Sequence, residues 1–380
     1  MEKGLKEHAA LLFILLLISS ITTVYTLSCT KSHACMEYYT VRYAVKQVYL
    51  VKYYGEGKLN VSDLELNLFS IPINYTQKVS YRVYVNGSEV KVVEKVVNNT
   101  LCVEAPSVIL REGTKINYTL TFTIDVINAE HRYPDRGILN KFLGENVSLT
   151  EPTSLWNYTH PVISGVIERE KFRNLVEIVK WIWNLKSEGL LKYKTHIPPL
   201  YPWEVLEKGE GDCDEQANLL ITLARGVGVP AFLQYGIVYI ENYTRTVSVN
   251  EVYKYRLINT GWHGWVIAYD EGLGSWVPID LTFYIRSNSL PEHYGGVVTL
   301  NRTIIWGNVV SGDYIKEFND FIDKLKKYNV TIEEYDETFK VGSWHYSEPL
   351  CLSDFIPAFL SLHVATISYL VFEIRRYEQV

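Results

Sequence analysis

The sequence predicts an α+β fold: a strand-rich first part, a mixed helix–strand second part and a hydrophobic segment at each terminus. Three observations carry this. Alternating apolar and polar runs fill residues 36 to about 130, apolar stripes at helical spacing return only after Pro161, and uninterrupted apolar runs occur near the two ends. At 380 residues and 47% hydrophobic composition, the chain is long enough for two or three domains, each with its own core. Its 29 tyrosines favour pleated, half-buried surfaces and add weight to the sheet. The net charge of −6 comes without a basic stripe, which argues against a nucleic-acid partner.

Residues 1–28 read as a signal peptide or an N-terminal anchor. Ala9 to Ile21 is a short apolar run behind Lys3 and Lys6, and Thr26-Leu27-Ser28 offers small residues for cleavage before Cys29. Residues 353–374 read as a transmembrane helix. Phe355 to Phe372 is long enough to span a bilayer, and Arg375 and Arg376 predict a cytoplasmic C-terminus. Pro357, His363 and Tyr369 leave a packed core helix as the alternative. Between the two ends lie ten Asn-x-Ser/Thr sequons, at Asn60, Asn74, Asn86, Asn98, Asn117, Asn146, Asn157, Asn242, Asn301 and Asn329. Chance would supply roughly three, so the body is expected to be a glycosylated extracytoplasmic part of a membrane protein.

Residues 29–131 are expected to form a β-sandwich. Tyr39–Val45, Val79–Val85 and Tyr118–Val126 alternate or nearly alternate, and turn signals at Gly55-Glu-Gly57, Asn86-Gly87 and Glu112-Gly113 separate them. Asn86-Gly87 is a hairpin signal. Residues 132–345 are expected to hold a linker, a second domain and a C-terminal helical extension. Pro134, Gly137, Gly144 and Pro152 break any long element in the linker. Beyond Pro161, Phe172, Leu175, Val176, Val179, Ile182 and Trp183 recur at helical spacing, and Trp181 and Trp183 read as core within that stripe. A second helix opens at Asp212 as N-cap and is stopped by Gly226, Gly228 and Pro230. Strands are expected at Phe232–Tyr239, Trp262–Tyr269 and Trp276–Ile279. An amphipathic helix follows, with Tyr314, Ile315, Phe318, Phe321, Ile322 and Leu325 on one face.

Five cysteines fit an oxidising compartment: Cys29, Cys35, Cys102 and Cys351 suffice for two disulfides, of undetermined pairing, and Cys213 is left over. Cys213 opens the Asp212 helix, where the helix dipole favours a thiolate. His263 begins one expected strand and Asp280 ends the next. The turn at Asp270–Gly274 sets the two side by side, so that Asp280 orients His263 and His263 acts as base toward Cys213. One feature pulls the other way. Glu207, Glu210, Asp212, Asp214 and Glu215 crowd Cys213 against Lys208, which would raise the thiol pKa. Helix capping and solvated loop charge are the plain reading of these acids, and a preference for cationic substrates the sharper one.

Residues 203 to 282 resemble the transglutaminase-like superfamily, whose core is a papain-like α+β fold. The resemblance rests on Gly211-Asp-Cys213, Gly228-Val-Pro230, His263-Gly-Trp-Val266 and Trp276-Val-Pro-Ile-Asp280, in that order. It implies a transglutaminase-like domain within residues 132–345. It also implies a nucleophile at Cys213, a base at His263 and an orienting acid at Asp280, and a reaction of acyl transfer through a Cys thioester on protein or peptide amides. The oxyanion would take the Cys213 N–H and one upstream side chain, Trp203 or Tyr193. Acceptor identity, water or amine, stays open. A non-catalytic surface glycoprotein that uses the fold for binding or envelope structure is the competing reading. Cys29, His33 and Cys35 lack a second ligand pair, so no metal is expected. No calcium loop, phosphate loop or dinucleotide fingerprint is present, and no cofactor is expected.

Overall fold

The computed structural model describes residues 38–72, 76–97, 100–129, 148–282 and 302–346. Both terminal apolar segments, Cys29, Cys35, Cys351 and the sequons at Asn74, Asn98, Asn146 and Asn301 lie outside the described residues, as does most of the expected linker. Among the described residues, no helix is long and apolar enough to cross a membrane. Tyr39–Trp344 forms one compact unit.

The first part is all strand: β1 (Tyr38–Tyr53), β2 (Lys58–Asn60), β3 (Leu68–Ser70), β4 (Gln77–Val85), β5 (Ser88–Glu89), β6 (Val93–Val97), β7 (Thr100–Glu104), β8 (Ile109–Arg111) and β9 (Lys115–Ala129). The alternation expected at 39–45, 79–85 and 118–126 lies on β1, β4 and β9. Val41, Tyr43 and Val45 are buried on β1, and Tyr118, Leu120, Phe122, Ile124 and Val126 on β9. Asn86 and Gly87 make the two-residue turn between β4 and β5, with φ of 50° and 85°. Positive φ at both positions is what a type I′ hairpin demands, and Asn-Gly supplies it at least cost. Phe69 on β3 meets Tyr49 on β1 and Tyr118 on β9 at ring distances of 5.1 and 5.3 Å. These contacts lay the small β3–β7–β6 sheet on the larger one, and Val103 of β7 is fully buried there.

The second part runs α1 (Pro161–Glu170), α2 (Leu175–Ser187), α3 (Pro202–Lys208), α4 (Cys213–Gly226), β10 (Ala231–Ser248), β11 (Tyr253–Asp270), β12 (Ser275–Ile279), β13 (Thr303–Val309), α5 (Tyr314–Lys327) and β14 (Val330–Tyr346). The expected periodic stripe belongs to α2, which buries Leu175, Ile178, Val179 and Ile182 behind an Asn174 cap on Glu177 N at 3.0 Å. Lys171, at φ 52°, separates α2 from α1.

One nine-stranded sheet joins the two parts in the order β13-β10-β11-β14-β1-β9-β4-β5, with β12 alongside β11. The joint is β14, which pairs with β11 in parallel and lies next to β1. β14 and β13 are not among the strands the sequence predicts. On β14 the inward positions include Glu334 and Asp336, so the alternation does not read as apolar. Gln47 and Trp262 donate to Asp336 at 3.0 and 2.8 Å, and Tyr253 donates to Glu334. Satisfying the buried carboxylates in this way is what lets a polar strand sit inside the sheet. Among the described residues Cys102, one of the expected disulfide cysteines, is a buried free thiol that donates to Thr100 O at 3.8 Å.

Candidate active site

The start of α4 is held from two sides. The fully buried carboxylate of Glu215 accepts from Asp212 N at 2.6 Å, closing a capping box, and from Leu200 N at 2.7 Å. His196 spans two acids, with Nδ1 3.1 Å from Glu215 and Nε2 3.0 Å from Glu210. Gln216 Nε2 donates to Gly211 O at 2.7 Å. Burial raises the Glu215 pKa, and its backbone donors oppose that rise. These bonds fix the peptide that precedes Cys213, so the helix end enters the site in one register.

β11 and β12 supply the other two predicted residues. Val266 pairs with Ile279, which brings Asp280 beside His263. His263 Nε2 lies 2.8 Å from Asp280 Oδ2. The other carboxylate oxygen accepts from Thr282 N at 3.0 Å and from Thr282 Oγ1 at 3.2 Å. Asp280 is 1% exposed, so the pair works in a low dielectric. With Nε2 on Asp280, Nδ1 is the ring nitrogen left for chemistry. Lys186 of α2 donates to Leu281 O beneath this pair. Burial lowers its pKa to about 8, against the pull of Asp280.

The first turn of α4 packs close against Gly264, the residue after His263. Gly264 permits that approach: a Cβ there would fall 3.0 Å from Asp214 Cβ and 3.3 Å from Asp214 Cα. The thiol's hydrogen bond goes to Asp214 Oδ1, at 4.0 Å; among the described residues it makes none to His263. Burial raises the thiol pKa well above its ordinary value, Asp214 and Asp212 raise it further, and the Gly264 N–H opposes them. Four of the five acids around Cys213 therefore divide into two sets. Glu215 is a cap, and Glu210 pairs with Lys194 at 2.8 Å and with His196, which keeps its carboxyl low. Asp212 and Asp214 act on the thiol itself. For these two, capping and solvated charge is not the whole account, because both take part in a buried acid–thiol cluster.

Of the two oxyanion candidates, Tyr193 is half-exposed and senses Cys213, Asp212 and Asp214. Its hydroxyl is raised first by burial and then by those three groups. Trp203 is stacked between His160 and Tyr201, at ring distances of 4.6 and 4.7 Å, and packs on the helical core. Asp212, Cys213 and Asp214 offer donor atoms within 4.8 Å of one another. One of the three is a carboxyl that burial and Asp214 push up until it keeps its proton at neutral pH, and another is a neutral thiol. A cation binding there would have to displace both protons. The sequence reading did not assign Gly264, Lys186 or Tyr314 to the site. Tyr314 was legible as part of an amphipathic face, and nothing in its spacing relates it to residue 214.

Residues 167–281 match the family model described as the transglutaminase-like superfamily. A search of curated proteins gives no match. Among solved structures, a Cytophaga hutchinsonii protein provisionally named a cysteine protease is similar at 13% identity and a TM-score of 0.43, covering 83% of this chain and 94% of that one. A Parabacteroides distasonis protein provisionally named a protease is similar at 12% identity and a TM-score of 0.24, covering 61% of this chain and 46% of that one. The periplasmic domain of TgpA from Pseudomonas aeruginosa, bound to ethylmercury, is similar at 11% identity and a TM-score of 0.26, covering 62% of this chain and 97% of that one. Residues 167–281 are thus a transglutaminase-like domain, and Cys213, His263 and Asp280 all fall inside it.

Proposed function

We propose that the protein is a thiol enzyme that transfers or hydrolyses acyl groups from protein or peptide amides. The observation that carries this is the buried His263–Asp280 pair at 2.8 Å, with Gly264, the next residue on the strand, packed against the first turn of the helix that Cys213 opens. Cys213 loses its proton to His263 Nδ1 and attacks the amide carbon. The oxyanion forms at the α4 N-terminus, where the Cys213 N–H and the Tyr193 hydroxyl are the donors. His263 returns the proton to the departing ammonia or amine, leaving a thioester on sulfur. Water completes hydrolysis, and an amine completes crosslinking.

The setting that supports this reading is extracytoplasmic and membrane-tethered, with protein or peptide substrates at the cell surface. The sequons and apolar termini carry that part. Asn86, Asn242 and Asn329 are exposed and open to sugar. All three also have positive φ, so each has a turn-forming reason to be Asn as well.

A second reading has its own observation. The thiol is bonded to Asp214 and pressed toward its neutral form by two acids, as suits a non-catalytic surface glycoprotein that kept the fold for binding. A Gln-containing peptide incubated with the full chain, followed by mass analysis, separates the two. Deamidation, cleavage or crosslinking that vanishes in Cys213→Ala supports the enzyme. Masses unchanged with the wild type and a panel of such peptides favour the binding protein.

A further inference from the structure

Asp214 joins the thiol to a hydrogen-bonded chain that runs back into the core. Its Oδ1 takes the Cys213 thiol at 4.0 Å, and its Oδ2 accepts from the Tyr314 hydroxyl at 2.7 Å. Tyr314 accepts from Asn218 Nδ2 at 2.7 Å, and Asn218 Oδ1 accepts from Trp156 Nε1 at 2.9 Å. Asn218 and Trp156 are fully buried. Every donor in this chain points toward Asp214, so its carboxylate is held in one orientation beside the sulfur. Asp212, next to both the thiol and Asp214, has a buried Oδ1 that takes no hydrogen bond among the described residues. Burial, then the neighbouring Asp214, raises the Asp212 pKa to about 9, so Asp212 keeps its proton at neutral pH.

We infer that Asp214, anchored by Tyr314 of α5, is a positioning residue that holds Cys213 as a protonated thiol at rest and sets how readily its sulfur ionises. The other groups facing the sulfur are Asp212 on its own helix, the Gly264 N–H next to His263 on β11, Asp280 beyond β12, and Tyr193. Of these, the Gly264 N–H favours the thiolate, and His263 is the base to which the proton can pass. An anion pinned beside the sulfur works against both. In an oxidising compartment such a restraint protects an unpaired thiol from exchange, because the thiolate is the reactive species. The inference takes the Cys213 sulfur as the reacting atom of the proposed function. Its test needs no substrate, so the two fail separately.

The experiment is iodoacetamide labelling of the full chain across pH 5 to 10, with the rate read by mass spectrometry on the peptide that contains Cys213. Wild-type labelling should rise with an inflection above that of an ordinary thiol. Asp214→Asn should move the inflection down and speed labelling at pH 7 by about tenfold or more, the gain expected from one unit of displacement. Asp214→Glu, which restores the charge, should return the rate toward wild type. A wild-type inflection below pH 7 overturns the inference even if every variant misfolds. So does a folded Asp214→Asn chain that labels no faster than wild type.

Discussion

Gly264→Ala tests how the helix that carries Cys213 meets the strand that carries His263. The added Cβ would lie 3.0 Å from Asp214 Cβ, 3.3 Å from Asp214 Cα and 3.5 Å from Leu233 Cδ1. Carbon atoms in comfortable contact sit about 3.5–4.0 Å apart, so α4 must retreat from β11 by roughly 0.5–1 Å. The nearest atoms belong to the root of a side chain and its backbone, which have no rotamer to absorb the strain. Overpacking of this kind costs about 1–3 kcal/mol. The same retreat moves the sulfur away from the Gly264 peptide, whose N–H favours the thiolate, so Cys213 labelling should slow. Urea midpoints and Cys213 labelling rates, read on the same preparations, measure both effects. Gly165→Ala is the matched control. Gly165 lies inside α1 with nothing within 4 Å of its would-be Cβ, so alanine there should stabilise by about 0.5–1 kcal/mol through helix propensity. If Gly264→Ala unfolds at the wild-type midpoint and labels at the wild-type rate, the close contact of α4 with β11 does not govern the site.

Two further outcomes follow from buried carboxylates. Burial, then the charge of Asp336, raises the Glu334 pKa above the unfolded carboxylate range, so the folded chain binds a proton that the unfolded chain has released. That stability is fully present below the unfolded pKa and is lost as pH rises toward and through the folded one. Wild-type thermal midpoints should therefore fall from pH 5 to pH 8, and Glu334→Gln should flatten the trend by about 1–3 kcal/mol; parallel curves for the two proteins would refute this. Asp280→Asn removes the charge behind His263 and leaves a side chain of the same size. It should cut any Cys213-dependent turnover by on the order of 10²–10⁴-fold with a midpoint close to wild type, and near-wild-type turnover in a folded variant would remove Asp280 from the mechanism.

What could be read in the sequence was set by how local the signal is. Asn86-Gly87, the α2 stripe and the alternation of β1, β4 and β9 each depend on residues within a few positions, and each is where the pattern puts it. The His263–Asp280 pair was accessible because one hairpin register controls it. The β14 strand was not, since Glu334 and Asp336 occupy inward positions and gain their partners from Gln47 on β1 and from Tyr253 and Trp262 on β11. Residues 74 to 289 positions apart cannot announce such bonds by spacing. The thiol's bond to Asp214 was hidden for a related reason. Five acids near Cys213 look alike in sequence, and only the fold decides which of them cap a helix, which pair with Lys194 and which face sulfur.

The position of α5 explains why the transglutaminase-like span is built into a larger unit. Its first turn belongs to the site: Tyr314 bonds to Asp214, and Ile315 is buried with the α2 and α4 side chains. Its later turns belong to the other core, where Ile322 and Leu325 are buried beside residues of β1 and β9. One helix thus carries a contact to the thiol's neighbour at one end and the packing of the strand-rich part at the other. The sheet repeats the same coupling. β10 and β11 lie between β13 and β14, both of which come after residue 281, and β14 continues the sheet to β1. A fragment cut to residues 167–281 would keep Cys213, His263 and Asp280 but expose both sheet edges and strand Asp214 without its Tyr314 donor. Its thiol would then sit beside a carboxylate free to turn away, so whatever reactivity it showed would not be that of the intact protein.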